Sequence, residues 1–220
     1  GAKLIERPIY LVHMTSSAEQ TVAVHPRVLV VAESGVETKV LEHFLGLDGQ
    51  TYLTNHVTEI YAGKNTILQH YKLQEESVDA FHIGTVRMRQ EADSDVKNFS
   101  LAFGAKIART DVIAELAGTG ADCTLNGLYL GQDTQHIDHH TRLEHVQPHC
   151  HSTEVYKGIL DQKSTAVFVG LIHVHPDAQK TDAVQSSKCV LMSPEAHVNS
   201  QPQLRIYADD VKCTHGAAIG

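Results

Sequence analysis

Three stretches of the chain set metal-capable side chains at spacings that chemistry can use. Near its end, "YADDVKCTHGAAIG" (207–220) places Cys213 and His215 two residues apart. On an extended strand, positions i and i+2 share a face, so a thiolate and an imidazole there could meet one iron or zinc ion. "HVHP" (173–176) sets His173 and His175 at the same spacing. The densest cluster is "QHIDHHTRLEHVQPHCHS" (135–152), with His136, His139, His140, His145, His149 and His151 beside Asp138 and Cys150. In that cluster His149 and His151 can converge on one face, whereas His139 and His140 point oppositely.

Each stretch also has a plainer reading. The 135–152 spacing fits neither a helical H-E-x-x-H site nor a zinc finger, and a solvated or stacked polar face accounts for it. His173 and His175 could begin a cupin-like metal site. The carboxylate and third histidine of that pattern are not found at a definite spacing, so exposed alternate positions on a strand ending at Pro176 suffice. Cys213 shares the parity of Val211, and a thiol buried with it would be inert. The adjacent acids Asp209 and Asp210 face opposite ways on a strand and make a poor acid–base couple. They fit a corner better. Leu204, Ile206 and Ala208 share one parity and Val211 and Cys213 the other, so a turn at 209–210 keeps both sets inward. His215 follows Cys213 in parity, although Gly216 loosens the strand beside it.

Composition removes several function classes. The net charge is −8 with scattered basic residues, which argues against nucleic acid as a main partner. The chain has no nucleotide-binding glycine loop and no G-x-S-x-G elbow. Four cysteines (Cys123, Cys150, Cys189, Cys213) lie far apart without a C-x-x-C pair, so no disulfide framework is expected. Hydrophobic residues make up 42% and charged residues 20%, as in soluble globular proteins. No apolar run approaches the roughly 18–20 residues that span a bilayer. A soluble cytoplasmic protein is the default. Gly1-Ala2 at one end and Ala-Ala-Ile-Gly at the other read as the ends of a fragment.

The elements that must position these side chains are strands. Residues 51–62, 65–74, 81–90, 98–118, 121–131, 165–176 and 202–213 alternate at period two between turn-forming residues. The best helix candidate is "VETKVLEHFLGL" (36–47), with Val36, Val40, Leu41 and Phe44 near one face, and the same stretch also reads as a strand and turn. A sandwich, a jelly roll and a β-helix all accommodate so many strands. Hairpin dipeptides are scarce, Asp48-Gly49 and Asn126-Gly127 alone, and corners in place of hairpins lean towards a solenoid.

The last third resembles a known family. "YKGIL" (156–160), "AVFVGLIHV" (166–174), "DAQKTDAVQ" (177–185) and "PQLRIYADDVKCTHG" (202–216) follow "HCHS" (149–152) in the expected order. Together they resemble the SufB/SufD family of iron–sulfur cluster assembly proteins, and "ADDVKCTHGA" is closest to its SufD side. Residues 1–154 match only as a β-rich run. The resemblance implies an all-β fold, a right-handed parallel β-helix, as one core domain over 1–220. It implies a non-enzymatic scaffold subunit that pairs through its C-terminal edge with a SufB-like chain; since an open sheet edge seeks pairing, a homodimer through the same edge is expected when that partner is absent. A nascent iron–sulfur cluster would form transiently at the seam, with His215 and Cys213 as its candidate ligands on this side. No nucleotide is expected here, because turnover belongs to a SufC-like ATPase. Relatives continue into a C-terminal helical domain that carries the ATPase contact, so a chain ending at Gly220 is expected to lack it. Cys189 departs from the family pattern and reads as a small buried hydrophobe. Two other readings stay open: a structural adaptor without any ligand, and an enzyme on a β-rich scaffold. The enzyme would use the His-rich segment as a metal-dependent oxygenase, or act on polysaccharide, for which 5% aromatics is sparse.

Overall fold

The computed structural model describes residues 3–16 and 20–220; Gly1-Ala2 falls outside them. Among the described residues there are seventeen strands, no helix, and hence no helix able to cross a membrane. One sheet runs β1 (Lys3–Leu4), β5 (Val36–Gly46), β7 (Ile67–Glu75), β9 (Asp95–Ala102), β11 (Asp122–Gly131), β13 (His151–Leu160), β15 (Asp182–Leu191) and β17 (Lys212–Ile219), with β2 (Ile9–Thr15) also on β5. The other runs β16 (His197–Ile206), β14 (Thr165–Val174), β12 (His136–His145), β10 (Ile107–Leu116), β8 (Phe81–Gln90), β6 (Leu53–Ala62) and β3 (Ala23–Val24), with β4 (Arg27–Ala32) on β6. Every pairing is parallel and joins a strand to its counterpart one coil away, as Asp122 lies beside His151 and His151 beside Asp182. The result is a β-solenoid of about seven turns, which meets the β-helix expectation and removes the sandwich and jelly roll.

Alternation builds it. In β14 the inward positions Ala166, Phe168, Ile172 and Val174 are buried while their neighbours are half-exposed. One coil cannot close its own core, so each depends on the stacked neighbours above and below.

Left-handed backbone replaces hairpins at the corners. Gly35, Asn65, Asp93, Gly120, His149 and Lys180 all have positive φ. Each donates its N–H to a corner carbonyl of the following coil: Lys64, Ala92, Thr119, Pro148, Gln179 and Asp210, at 2.6–3.3 Å. Asn and Asp tolerate this conformation better than most residues. The rail ends at Asp209-Asp210, which is a bend as the phase of the apolar residues predicts. There Lys180 pairs with the Asp210 carboxylate and the Asp210 N–H donates to Gln179 Oε1 at 2.9 Å.

Of the two readings of 36–47 the strand and turn holds and the helix fails: Val36–Gly46 form β5 with Thr38, Val40, Glu42 and Phe44 facing inward, and the carboxylate among them is what disguised the period-two pattern. One further expectation fails. Residues 98–118 are two strands, not one. A corner at Gly104-Ala105 divides them, with Ala105 at φ 63° and its N–H on the Glu76 carbonyl. A Cβ on Gly104 would stand 2.2 Å from that same carbonyl oxygen.

Candidate functional site

β17 is the last strand of its sheet and lies against β15, with Cys213 beside Ala183 and His215 beside Gln185. Ala183 and Gln185 are buried in the lumen. In-register parallel neighbours share orientation, so Cys213 and His215 both carry lumen-facing parity. The strand continues through Gly216 to Ile219, so the glycine does not loosen it. Among the described residues no strand pairs with β17 on its other side. Cys213 is half-buried and packs with Val211 and Ala208 on the main core, while His215 is exposed at the open end. Burial, and then the neighbouring Asp182 carboxylate, push the Cys213 thiol above its ordinary range, so it is neutral until a metal or a partner's positive charge draws its proton away. Beneath His215, Gln185 Nε2 donates to Glu154 Oε2 at 2.6 Å. Burial raises that carboxyl to about 7.

The backbone of β17 is equally informative. Lys212 and Gly220 donate to Thr181 and Cys189 of the preceding coil, and Gly220 accepts from Leu191. Since a strand's peptide groups alternate sides, those of Cys213, His215, Ala217 and Ile219 are directed at the open edge.

The histidine-rich segment is neither one site nor one solvated face. His139 is buried between Tyr129 and Tyr156, at ring separations of 5.4 and 5.2 Å. His145 is buried and shares a 2.8 Å hydrogen bond with Ser152. His140 lies outward on Asp138, opposite to His139 as their adjacency predicts. His136 bonds Thr165, and His149 sits in the corner rail, so it does not converge with exposed His151. Cys150 is buried and donates to the Gly118 carbonyl at 3.3 Å. Cys189 packs with Tyr129 and Leu160, the hydrophobic role expected of it.

His173 and His175 depart from the exposed reading. Both are half-buried, and both meet one oxygen of Glu144 on the neighbouring strand. Among the described residues, these are the only three His, Cys, Asp or Glu side chains whose ligand atoms lie mutually within 4.8 Å.

Sequence reasoning missed a polar network inside the first coils. Glu42 accepts from Thr58 (2.7 Å) and shares hydrogen bonds with His70 (2.8 Å) and His13 (3.1 Å), and His70 in turn meets Asn98. Burial alone would raise the Glu42 carboxyl; the bonds from His13 and His70 instead hold it well below its usual range. Lys72 is buried, donates to Thr110, and is lowered to about 8 by desolvation. Glu76 accepts from Thr54, Gln74 and His82, yet burial leaves its carboxyl raised. The only signal was parity: His56 and Thr58 share the face of Ile60.

With this geometry in hand, comparison with known proteins extends the resemblance through the chain. The family model described as SUF system FeS cluster assembly, SufBD core domain, matches residues 13–220. The chain is 36% identical to protein ABCI7, chloroplastic, of Arabidopsis thaliana over 98% of its length and 47% of that protein's. It is 33% identical to iron-sulfur cluster assembly protein SufD of Escherichia coli, over 97% of this chain and 51% of that one. A SufBD family protein of Synechocystis is 31% identical over 98% and 49% respectively. The chain therefore spans about half the length of these relatives. A parallel β-solenoid carrying "ADDVKCTHGA" in its last described corner and strand, matched by this family model over nearly all its residues, belongs to the SufBD core family of the SUF system.

Proposed function

We propose that the chain is a SufD-like scaffold subunit of iron–sulfur cluster assembly, without catalysis of its own. It would pair edge to edge with a SufB-like chain through β17, or with a second copy of itself when that chain is absent. The observation that carries this reading is the last coil, where Cys213 and His215 turn side chains to the lumen mouth and peptide groups to the open edge. The nascent cluster is cargo at this seam. A thiolate and an imidazole on this side hold part of it, and the partner supplies the rest, so separation of the chains releases it. A SufC-like ATPase would drive turnover through a region of the longer family members. The compartment would be the bacterial cytoplasm or a plastid.

The edge itself is testable. Ala217→Pro removes a peptide N–H directed outward and spares the ladder to β15, a position where proline is tolerated. It should weaken association with a SufB-like chain about tenfold, the worth of one lost hydrogen bond, with unchanged melting of the isolated chain. Titration by analytical ultracentrifugation reads this. Association that is equally tight in Ala217→Pro would refute edge pairing.

A further inference from the structure

The outer face of the second sheet carries a ligand set that the assembly role does not use. Glu144 of β12 and His173 of β14 are cross-strand neighbours in register. His175 lies two residues further on the same face, its own N–H held by the His145 carbonyl at 3.0 Å. His173 Nδ1 and His175 Nε2 approach the same Glu144 oxygen, Oε2, at 2.8 and 2.7 Å. The two rings are 4.3 Å apart, and Tyr207 packs edge-on against His173 at 5.5 Å. Arg142 holds the other Glu144 oxygen. The side chains are 21%, 37% and 11% exposed for His173, His175 and Glu144, and His175 and Glu144 border a surface depression of about 330 Å³.

We propose that Glu144, His173 and His175 form a binding site for a divalent first-row transition ion, with its remaining positions open to water. Two imidazoles and one carboxylate suit Zn²⁺, Fe²⁺ or Co²⁺; Mg²⁺ and Ca²⁺ prefer all-oxygen shells, and Cu⁺ prefers sulfur. With bonds of about 2.0–2.1 Å, tetrahedral ligand atoms stand about 3.3 Å apart, so each imidazole nitrogen needs to draw back from the Glu144 oxygen by about half an ångström from its hydrogen-bonded spacing. His173 and His175 are part-exposed and have room to do so, while Glu144 is largely buried and held by Arg142. Tyr207 and the backbone hold on His175 preset the rings, as outer contacts do in established metal sites. The positive charges of Arg142 and Arg87, which lines the same depression, oppose the ion, so the site is exchangeable. This inference does not rest on the assembly reading and is tested on the 220-residue chain alone.

Anaerobic titration with Co²⁺ should give visible d–d bands that saturate at one equivalent and are displaced by Zn²⁺ but not by excess Mg²⁺. His173→Ala and Glu144→Gln should each weaken Co²⁺ binding at least about tenfold. His175→Gln retains a donor towards Glu144, so it should keep the wild-type melting temperature and still lose the bands. Replacing the exposed His197 of β16, in His197→Ala, should leave binding as in wild type. Absence of saturable bands, or bands of unchanged affinity in Glu144→Gln and His175→Gln, would overturn the site.

Discussion

Gly158→Ala is expected to destabilise the protein by about 3 kcal/mol, the upper range for overpacking a filled core. β11 and β13 exchange glycine and tyrosine reciprocally: Gly127 lies beside Tyr156 and Tyr129 beside Gly158. A Cβ on Gly158 would stand 2.1 Å from Tyr129 Cε2, and one on Gly127 2.1 Å from Tyr156 Cδ1. Neither ring can retreat. Both are fully buried, His139 fills the space between them, and Tyr156 rests on Phe168 at 4.9 Å. The glycines are therefore the space into which the neighbouring coil's rings are laid. Denaturant unfolding checks this, with Tyr129→Leu as second arm. Tyr129→Leu should itself destabilise, yet the double variant should be more stable than the sum predicts by at least about 1 kcal/mol. A Gly158→Ala chain within about 0.5 kcal/mol of wild type would contradict the packing described.

The second large effect is electrostatic. Glu154 is fully buried and its carboxyl is raised by desolvation from 4.5 to about 7. Between those values the native state keeps a proton that the unfolded chain releases. Unfolding free energy therefore falls as pH rises from about 4.5 to about 7 and is flat above, a loss of about 3 kcal/mol from this group. Glu154→Gln keeps an acceptor for Gln185 and removes the charge. It should match wild type near pH 4 and exceed it by about 3 kcal/mol at pH 8. The difference between the two proteins is the quantity to follow, because buried imidazoles impose the opposite slope. Burial lowers His139 to about 3 and His145 to about 4, so the unfolded chain takes up their protons first and stability rises with pH through that region. A variant offset that does not change between pH 4 and 8 would show that Glu154 stays charged.

Much of the architecture was legible because corners and hairpins use different residues. Scarce Asn-Gly and Asp-Gly pairs pointed to a solenoid, and the change of apolar phase at Asp209-Asp210 located a true bend. What parity could not tell was which face is inside. In β6, Leu53 and Val57 face outward while His56 and Thr58 lie in the lumen, so both faces read as mixed. The same fact explains part of the histidine enrichment: His56, His70, His82, His139 and His145 are interior, five of the sixteen. The corner at Ala105 carried no turn signal except the glycine before it. Glu144 was missed as the partner of His173 and His175 because a third ligand one coil away has no motif spacing. Only the register brings residues 144 and 173 together. Cys213 and His215 were legible from spacing, and their shared inward parity from the corner phase, but the edge-directed backbone required β17 and its ladder.

The central claim is that this chain contributes His215 to a cluster built at a subunit seam. Its most direct test is the iron and acid-labile sulfide carried by the chain in complex with SufB-like and SufC-like partners, assembled anaerobically from the full-length proteins. In His215→Ala the complex should form with its normal stoichiometry and carry iron and sulfide only at background. A His215→Ala complex with wild-type iron and sulfide content would contradict the account.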